Sequence, residues 1–378
     1  MKTAITLIIV TLLVQLSSGI NYVTFPVILS LQGISNMLIG IAMSFEILAM
    51  LMLYSQLARL IQKLGLFCTL VILSCSRAIA IALLAHNDNY LLWLAGIFVY
   101  GATTGMLIVL IQTWLASFTL GKSKGLLMGL FSSALSSGVA LGPVVLQSLP
   151  ATINRFYFNS VLILLPMCLM LFLGGQKQIF SVDSQIRVRF IYRHAKIILF
   201  SALVGGISFY GLPNFLTLYG INSGLNDQQA TLLMTAFMMG SVILGMLIST
   251  CSSFINRQSL VLLCVFVAVV CAVFLSLAVY AHYLFALCLL FIWGGCMGGI
   301  YAMGLTVIGE RFHSQDQMSS NMSYTLMDSL GGILGLVLIG LFIDLLGNDG
   351  MAYVIVAAGC TFLIYTVQQM IGRQKMFE

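Results

Sequence analysis

Apolar runs about as long as a bilayer is thick recur along the whole chain, with short polar loops between them. A helix needs ~20 apolar residues to cross ~30 Å of hydrocarbon. Backbone at that depth must satisfy its own hydrogen bonds, which a helix does within one segment. The pattern predicts twelve such helices, at 3–30, 36–58, 64–85, 90–115, 124–148, 158–174, 196–219, 227–250, 259–280, 283–308, 318–344 and 352–371. The first run is too long for a cleaved signal peptide, and no small-residue cleavage site follows its apolar core. It is expected to remain as the first helix. With 61% hydrophobic and 7% charged residues, an aqueous globule could not hide the apolar surface. The expected fold class is an all-α polytopic membrane protein, with something crossing the bilayer as its business.

Charge then sets an orientation. Basic residues favour the cytoplasmic side. With the N-terminus inside, the inner segments hold Lys2, Arg59, Lys63, Lys122, Lys124, Lys177, Arg187, Arg189, Arg193, Lys196, Arg257, Arg311, Arg373 and Lys375. That is 14 of the 16 basic residues, so both termini are expected in the cytoplasm. Only Arg155 falls in an outer loop, and Arg77 lies within a helix. The net charge of +6 therefore reads as topology and contact with anionic membrane lipid. The basic residues are scattered over short loops, so no nucleic-acid partner is expected. The nine cysteines form no CxxC pair and lie in or at the ends of helices, as buried apolar packing would have them. Neither a metal site nor a cofactor is expected.

The longest hydrophilic connection, 175–195, mixes arginine with apolar residues, as suits a cytoplasmic strap on the inner membrane surface. It separates an N-terminal six-helix bundle, 1–174, from a C-terminal one, 196–378. Residues 19–35 read GINYVTFPVILSLQGIS and residues 206–222 read GISFYGLPNFLTLYGIN. At one fixed offset Gly19/Gly206, Pro26/Pro213, Leu29/Leu216 and Gly33/Gly220 coincide. Gly101 and Gly105 in the fourth helix are answered by Gly295 and Gly299 in the tenth. Gly138 and Gly142 in the fifth are answered by Gly331 and Gly335 in the eleventh. Small residues four apart let helix backbones approach closely, as surfaces that slide or simply pack. Two like-oriented halves imply a pseudo-twofold along the membrane normal and a site at the repeat interface.

At this point the chain resembles the major facilitator superfamily. The resemblance covers all twelve helices and is strongest where residues 111–115 read IQTWL and 125–143 read GLLMGLFSSALSSGVALGP. These are similar to a bacterial twelve-helix branch related to drug and metabolite exporters, as are GERFHSQD at 309–316 and DLLGNDG at 344–350. Gly138, Gly142 and Pro143 match the core of a helix-five motif associated with exporters, with Val145-Leu146 where Gly-Gly usually follows. Between the second and third helices, Leu57, Ala58 and Lys63 fit the superfamily's loop, while its glycines and aspartate are missing. The resemblance implies two pseudo-symmetric six-helix bundles, alternating access, and a cavity lined by the first, fourth, seventh and tenth helices. It places Gln112 and Trp114 near the cytoplasmic end, where gating suits them.

Ionisable residues at membrane depth are functional suspects, costing ~2.5–3.5 kcal/mol on insertion scales. Three stand here as proton-coupling candidates: Glu46, Arg77 and Asp328. Helix rise puts Glu46 and Arg77 at similar depths on sequential antiparallel helices, so an ion pair is possible. Burial favours a carboxylate's neutral form and a nearby arginine its charged form, so Glu46 is poised to take and release a proton. The alternative is a permanent pair that fixes packing. Asp328 either binds a proton or cationic substrate, or hydrogen-bonds Thr325 or Ser329. Gln15, Ser18 and Tyr22 share a helix face, with Asn21 beside it. Together with Ser208, Tyr210, Asn214 and Tyr301 they are candidate cavity residues, or else interhelical hydrogen-bonders that assemble the bundle. Pro26 and Pro213 are paired candidates for hinges or static kinks.

No P-loop, HExxH or GxSxG is present, which argues against direct ATP use and against an enzyme. The expected protein is a monomeric secondary transporter of the bacterial cytoplasmic membrane, proton-coupled, moving a small organic or amphipathic solute, with export favoured. Proton-coupled uptake of a nutrient or metal chelate, and a sensor that does not transport, are the alternatives.

Overall fold

In the computed structural model, residues 2–53, 56–117, 123–150, 152–171, 188–252, 254–311 and 314–374 are described. Their regular structure is helical. The helices are α1 (Lys2–Leu31), α2 (Asn36–Leu53), α3 (Leu57–Leu83), α4 (Tyr90–Ser117), α5 (Ser123–Ser148), α6 (Arg155–Leu162), α7 (Leu164–Leu171), α8 (Val188–Asn222), α9 (Asp227–Cys251), α10 (Arg257–Ala281), α11 (Tyr283–Arg311), α12 (Ser314–Leu346) and α13 (Gly350–Gln374). Eleven of them are long and apolar enough to cross a membrane, and the shorter apolar stretch Arg155–Met170 makes the sixth passage. Ile163 between α6 and α7 keeps helical φ/ψ, so the two form one segment. The last six helices, α8 to α13, are the seventh to twelfth expected from sequence. The protein is thus an all-α, multi-pass membrane protein of twelve passages.

Two boundaries depart from the sequence expectation for physical reasons. The third helix starts at Leu57, not near 64, and breaks at Gly65, whose φ of 78° takes it out of the helical region. Positive φ carries little penalty for glycine, so the chain turns there. The stub before the turn hides Leu57 and packs Leu60 and Ile61 on the core, leaving Arg59 and Lys63 exposed. The seventh helix starts at Val188, inside the expected linker 175–195. Its N-terminal extension is RFIYRHA, a run without glycine or proline to stop a helix.

The contacts divide the chain into two units: Met1–Gly33 with Ala42–Asp183, and Ile34–Ile41 with Ser184–Glu378. Within unit 1, α1 packs on α5 and α3 on α4. Gly142 lies against Gly19, Gly138 against Leu12 and Gln15, Gly101 against the backbone of Glu46, and Gly105 against Met50. Within unit 2, α8 packs on α12 and α9 on α11. Gly331 lies against Leu203, Gly335 against Ile207, Gly295 against Leu244, and Gly299 against Ile248. Each glycine pair therefore closes a helix pair inside its own bundle, and the same two pairings recur in both.

The start of α2 belongs to unit 2. There the carboxylate of Asp344 accepts from the backbone N–H and side-chain amide of Asn36, at 3.0 and 2.9 Å, and from the N–H of Met37 at 2.8 Å. A carboxylate on the free N–H groups of a helix start satisfies them and meets the positive end of the dipole.

Candidate functional site

In unit 1 the polar residues of α1 gather at one level. Arg77 of α3 is fully buried, and its Nη2 donates to the carbonyl of Val14 at 3.1 Å, to Ser17 Oγ at 3.2 Å and to Ser18 Oγ at 3.1 Å. The guanidinium stacks on the face of Tyr100, 4.9 Å from the ring centroid, a favourable cation–π geometry. Phe25 packs edge-on against the same ring, and against Trp93, with centroids 5.6 Å apart in each case. Asn159 of α6 reaches across to α1, its Nδ2 donating to Asn21 Oδ1 at 2.6 Å and to the carbonyl of Ser17 at 3.1 Å.

Glu46 of α2 lies within electrostatic range of Arg77, but no ion pair joins them. Arg77 Nη2 bonds α1, and Glu46 Oε1 accepts from the Tyr22 hydroxyl at 3.3 Å. Instead of the possible pair there are two separate attachments to α1. Ser18 also donates to Gln15 Oε1 at 3.3 Å. Ser18 and Asn21 are buried inside the unit and bonded there, as assembly residues would be, whereas Gln15 and Tyr22 are half-buried.

Unit 2 is arranged differently. Asp328 of α12 is only 5% exposed, although its backbone meets that of α8 at Gly206. Its carboxylate faces the Tyr210 hydroxyl of α8, and Tyr301 and Tyr324 are further groups in its electrostatic range. The Tyr301 and Tyr324 rings are 5.7 Å apart, and the Tyr324 hydroxyl donates to the carbonyl of Ile300 at 3.4 Å. Tyr301 itself is 38% exposed. Ser208 is buried, and Asn214 is spent on its own helix, donating to the carbonyl of Tyr210 at 2.9 Å.

The remaining candidates scatter. Trp114 is buried in the hydrophobic cluster around Leu110 and Leu115, while Gln112 is exposed. Pro26, Pro143 and Pro213 sit inside α1, α5 and α8. The side chains of Lys122, Lys124, Glu310, Arg311, His313 and Asp316 lie outside the described residues. The structure adds Ser17, Tyr100 and Asn159, which sequence reasoning passed over. An asparagine in an apolar span and a tyrosine one helix from a buried arginine were the available signals.

No curated protein sequence matches the chain. Among solved structures, a mutant form of the nucleoside transporter NupG superposes with a TM-score of 0.82 at 12% identity, over 97% of this chain and 99% of that one. Unmutated NupG gives 0.78 at 15% identity, over all of both chains. A bacterial homologue of the human lysosomal transporter Spinster, in its inward-facing and unoccupied form, gives 0.73 at 14% identity, over 96% of this chain and 94% of that one. The sequence profile described as the Major Facilitator Superfamily matches residues 7–336, with a second match over 198–371. Twelve helices with the same glycine-closed pairs in both halves, and a profile that spans most of the sequence, make the chain a member of the major facilitator superfamily of transporters.

Proposed function

We propose that the protein is a proton-coupled secondary transporter that moves a small organic or amphipathic solute by alternating access, in the direction of export. One observation carries the coupling. In each unit a carboxylate at membrane depth lies beside a tyrosine on the unit's leading helix: Glu46 accepts from Tyr22, and Asp328 faces Tyr210. An intramembrane carboxylate is costly as an anion, and a single tyrosine bond offsets only part of that cost. Such a group has reason to exchange a proton as its surroundings change. Glu46 and Asp328 are the coupling residues of this reading, with Arg77 tuning Glu46 by its charge. Gln15, Tyr22 and Tyr301 keep the exposure a solute would need. Gln112 and Trp114 belong to a cytoplasmic gate, and Pro26 with Pro213 to hinges.

The export direction rests on Gly138, Gly142 and Pro143 in α5. The protein sits in the bacterial cytoplasmic membrane as a monomer, with both termini inside and anionic lipid at its basic loops. Nucleosides enter the set of solutes to be screened only through the fold shared with NupG.

Inverted membrane vesicles test the reading. Export driven by protons accumulates solute inside such vesicles, and uptake does not. With Glu46→Gln, accumulation should vanish while exchange of labelled for unlabelled solute continues. Accumulation that survives the substitution removes Glu46 from the mechanism.

A further inference from the structure

Five polar atoms in the core of unit 1 have no hydrogen-bond partner in the protein: Arg77 Nε, Arg77 Nη1, Asn21 Nδ2, Tyr100 Oη and Asn159 Oδ1. Their residues are at most 2% exposed, so bulk water does not reach them. They form one neighbourhood. Asn159 and Asn21 are bonded to each other, Arg77 lies on the Tyr100 ring, and the Tyr100 hydroxyl faces Ser18 and Asn21. Buried polar groups are nearly always satisfied, and an unsatisfied one destabilises the fold. Five in one place, two of them on a cation, are too costly to be left dry.

We infer that unit 1 binds internal water between Arg77, Tyr100, Asn21 and Asn159, and that the Tyr100 hydroxyl positions it. Water fits the set better than an anion does. The free groups include an acceptor, Asn159 Oδ1, beside the donors Arg77 and Asn21. Water accepts from the donors and donates to the acceptor, and buried waters typically make about three such bonds. An anion would leave Asn159 Oδ1 unsatisfied and would meet the carboxylate of Glu46 within range of the same arginine. The Tyr100 ring is held by Phe25 at its side and Arg77 on its face, so its hydroxyl keeps a fixed place. Bound water there would link the Arg77 charge to α1, α4 and α6 at once.

Radiolytic hydroxyl labelling of the intact protein in detergent tests this, because radicals formed from bound water oxidise side chains beside it. Tyr324 is the control, equally buried but with its hydroxyl given to Ile300. Oxidation of Tyr100 several-fold faster than that of Tyr324 is expected, and equal or slower oxidation overturns the inference. Tyr100→Phe supplies a second readout, since it keeps the ring and deletes only the hydroxyl. A hydroxyl bonded to water is missed, and the thermal midpoint falls by about 2 °C. A dry, orphaned hydroxyl is not missed, so an unchanged or raised midpoint also overturns the inference. Neither measurement involves proton transfer, so a failure of Glu46 as proton carrier leaves both results standing.

Discussion

Glu46 and Asp328 each lie beside a tyrosine of the leading helix, Tyr22 and Tyr210, and differ in everything else around them. Glu46 has an arginine within electrostatic range, held by α1 and Tyr100. Asp328 has tyrosines: Tyr210, Tyr301 and Tyr324. A proton on Glu46 would unmask a buried positive charge in unit 1, whereas a proton on Asp328 would leave unit 2 locally neutral. The backbone repeat is thus kept in both bundles while the electrostatics are not. Two halves built alike at their glycines are free to divide labour at their carboxylates.

The largest expected effect attacks the likeness. Gly142→Leu in unit 1 and Gly335→Leu in unit 2 each drive a side chain into a facing backbone, at Gly19 and Ile207. Overpacking costs about 1–3 kcal/mol where side chains alone must shift, and backbone offers less room. Both variants should lose most of their folded protein in size-exclusion profiles after extraction. Loss in only one would mean that the repeated helix pairs do not matter equally.

A smaller effect sharpens the difference. Glu46→Gln strips unit 1 of its negative group and leaves Arg77 uncompensated, whereas Asp328→Asn keeps a neutral, hydrogen-bonding side chain among tyrosines. Thermal midpoints should therefore drop by several degrees for Glu46→Gln and by far less for Asp328→Asn. Equal drops would show that Arg77 does not depend on Glu46 for balance.

The smallest effect concerns the paired prolines. Alanine at both Pro26 and Pro213 should slow solute turnover several-fold with little change in midpoint if the two bends serve as hinges. Unchanged turnover assigns them to static kinks.

How much of this was legible before the structure varied with the kind of information. Apolar runs located the spans, because hydrocarbon thickness leaves little choice, but not the extra helical residues before the third and seventh, which begin at Leu57 and Val188. The glycine pairs announced close helix contacts, since nothing else explains small residues four apart at matching places. Depth along an axis was legible too: Glu46 and Arg77 do lie near enough to feel each other's charge. The direction in which each side chain leaves its helix was not. An arginine's reach lets it choose between a carboxylate and an array of serine and carbonyl oxygens, and here it chose α1. Asn159 escaped notice because it stands near the end of an expected span, where an asparagine suggests a loop. Only the packing of α6 on α3 and α1 shows that it is buried.

The bend at Gly65 has a consequence for membrane thickness. An unbroken helix from Leu57 to Leu83 would measure about 40 Å, well beyond the hydrocarbon layer. With the turn, the straight part after Gly65 is about 27 Å long, a near match for the hydrocarbon core of a bilayer. Arg59 and Lys63 remain on the stub, where they can stay among lipid headgroups. One residue without a side chain thus sets how thick a membrane the third helix will accept.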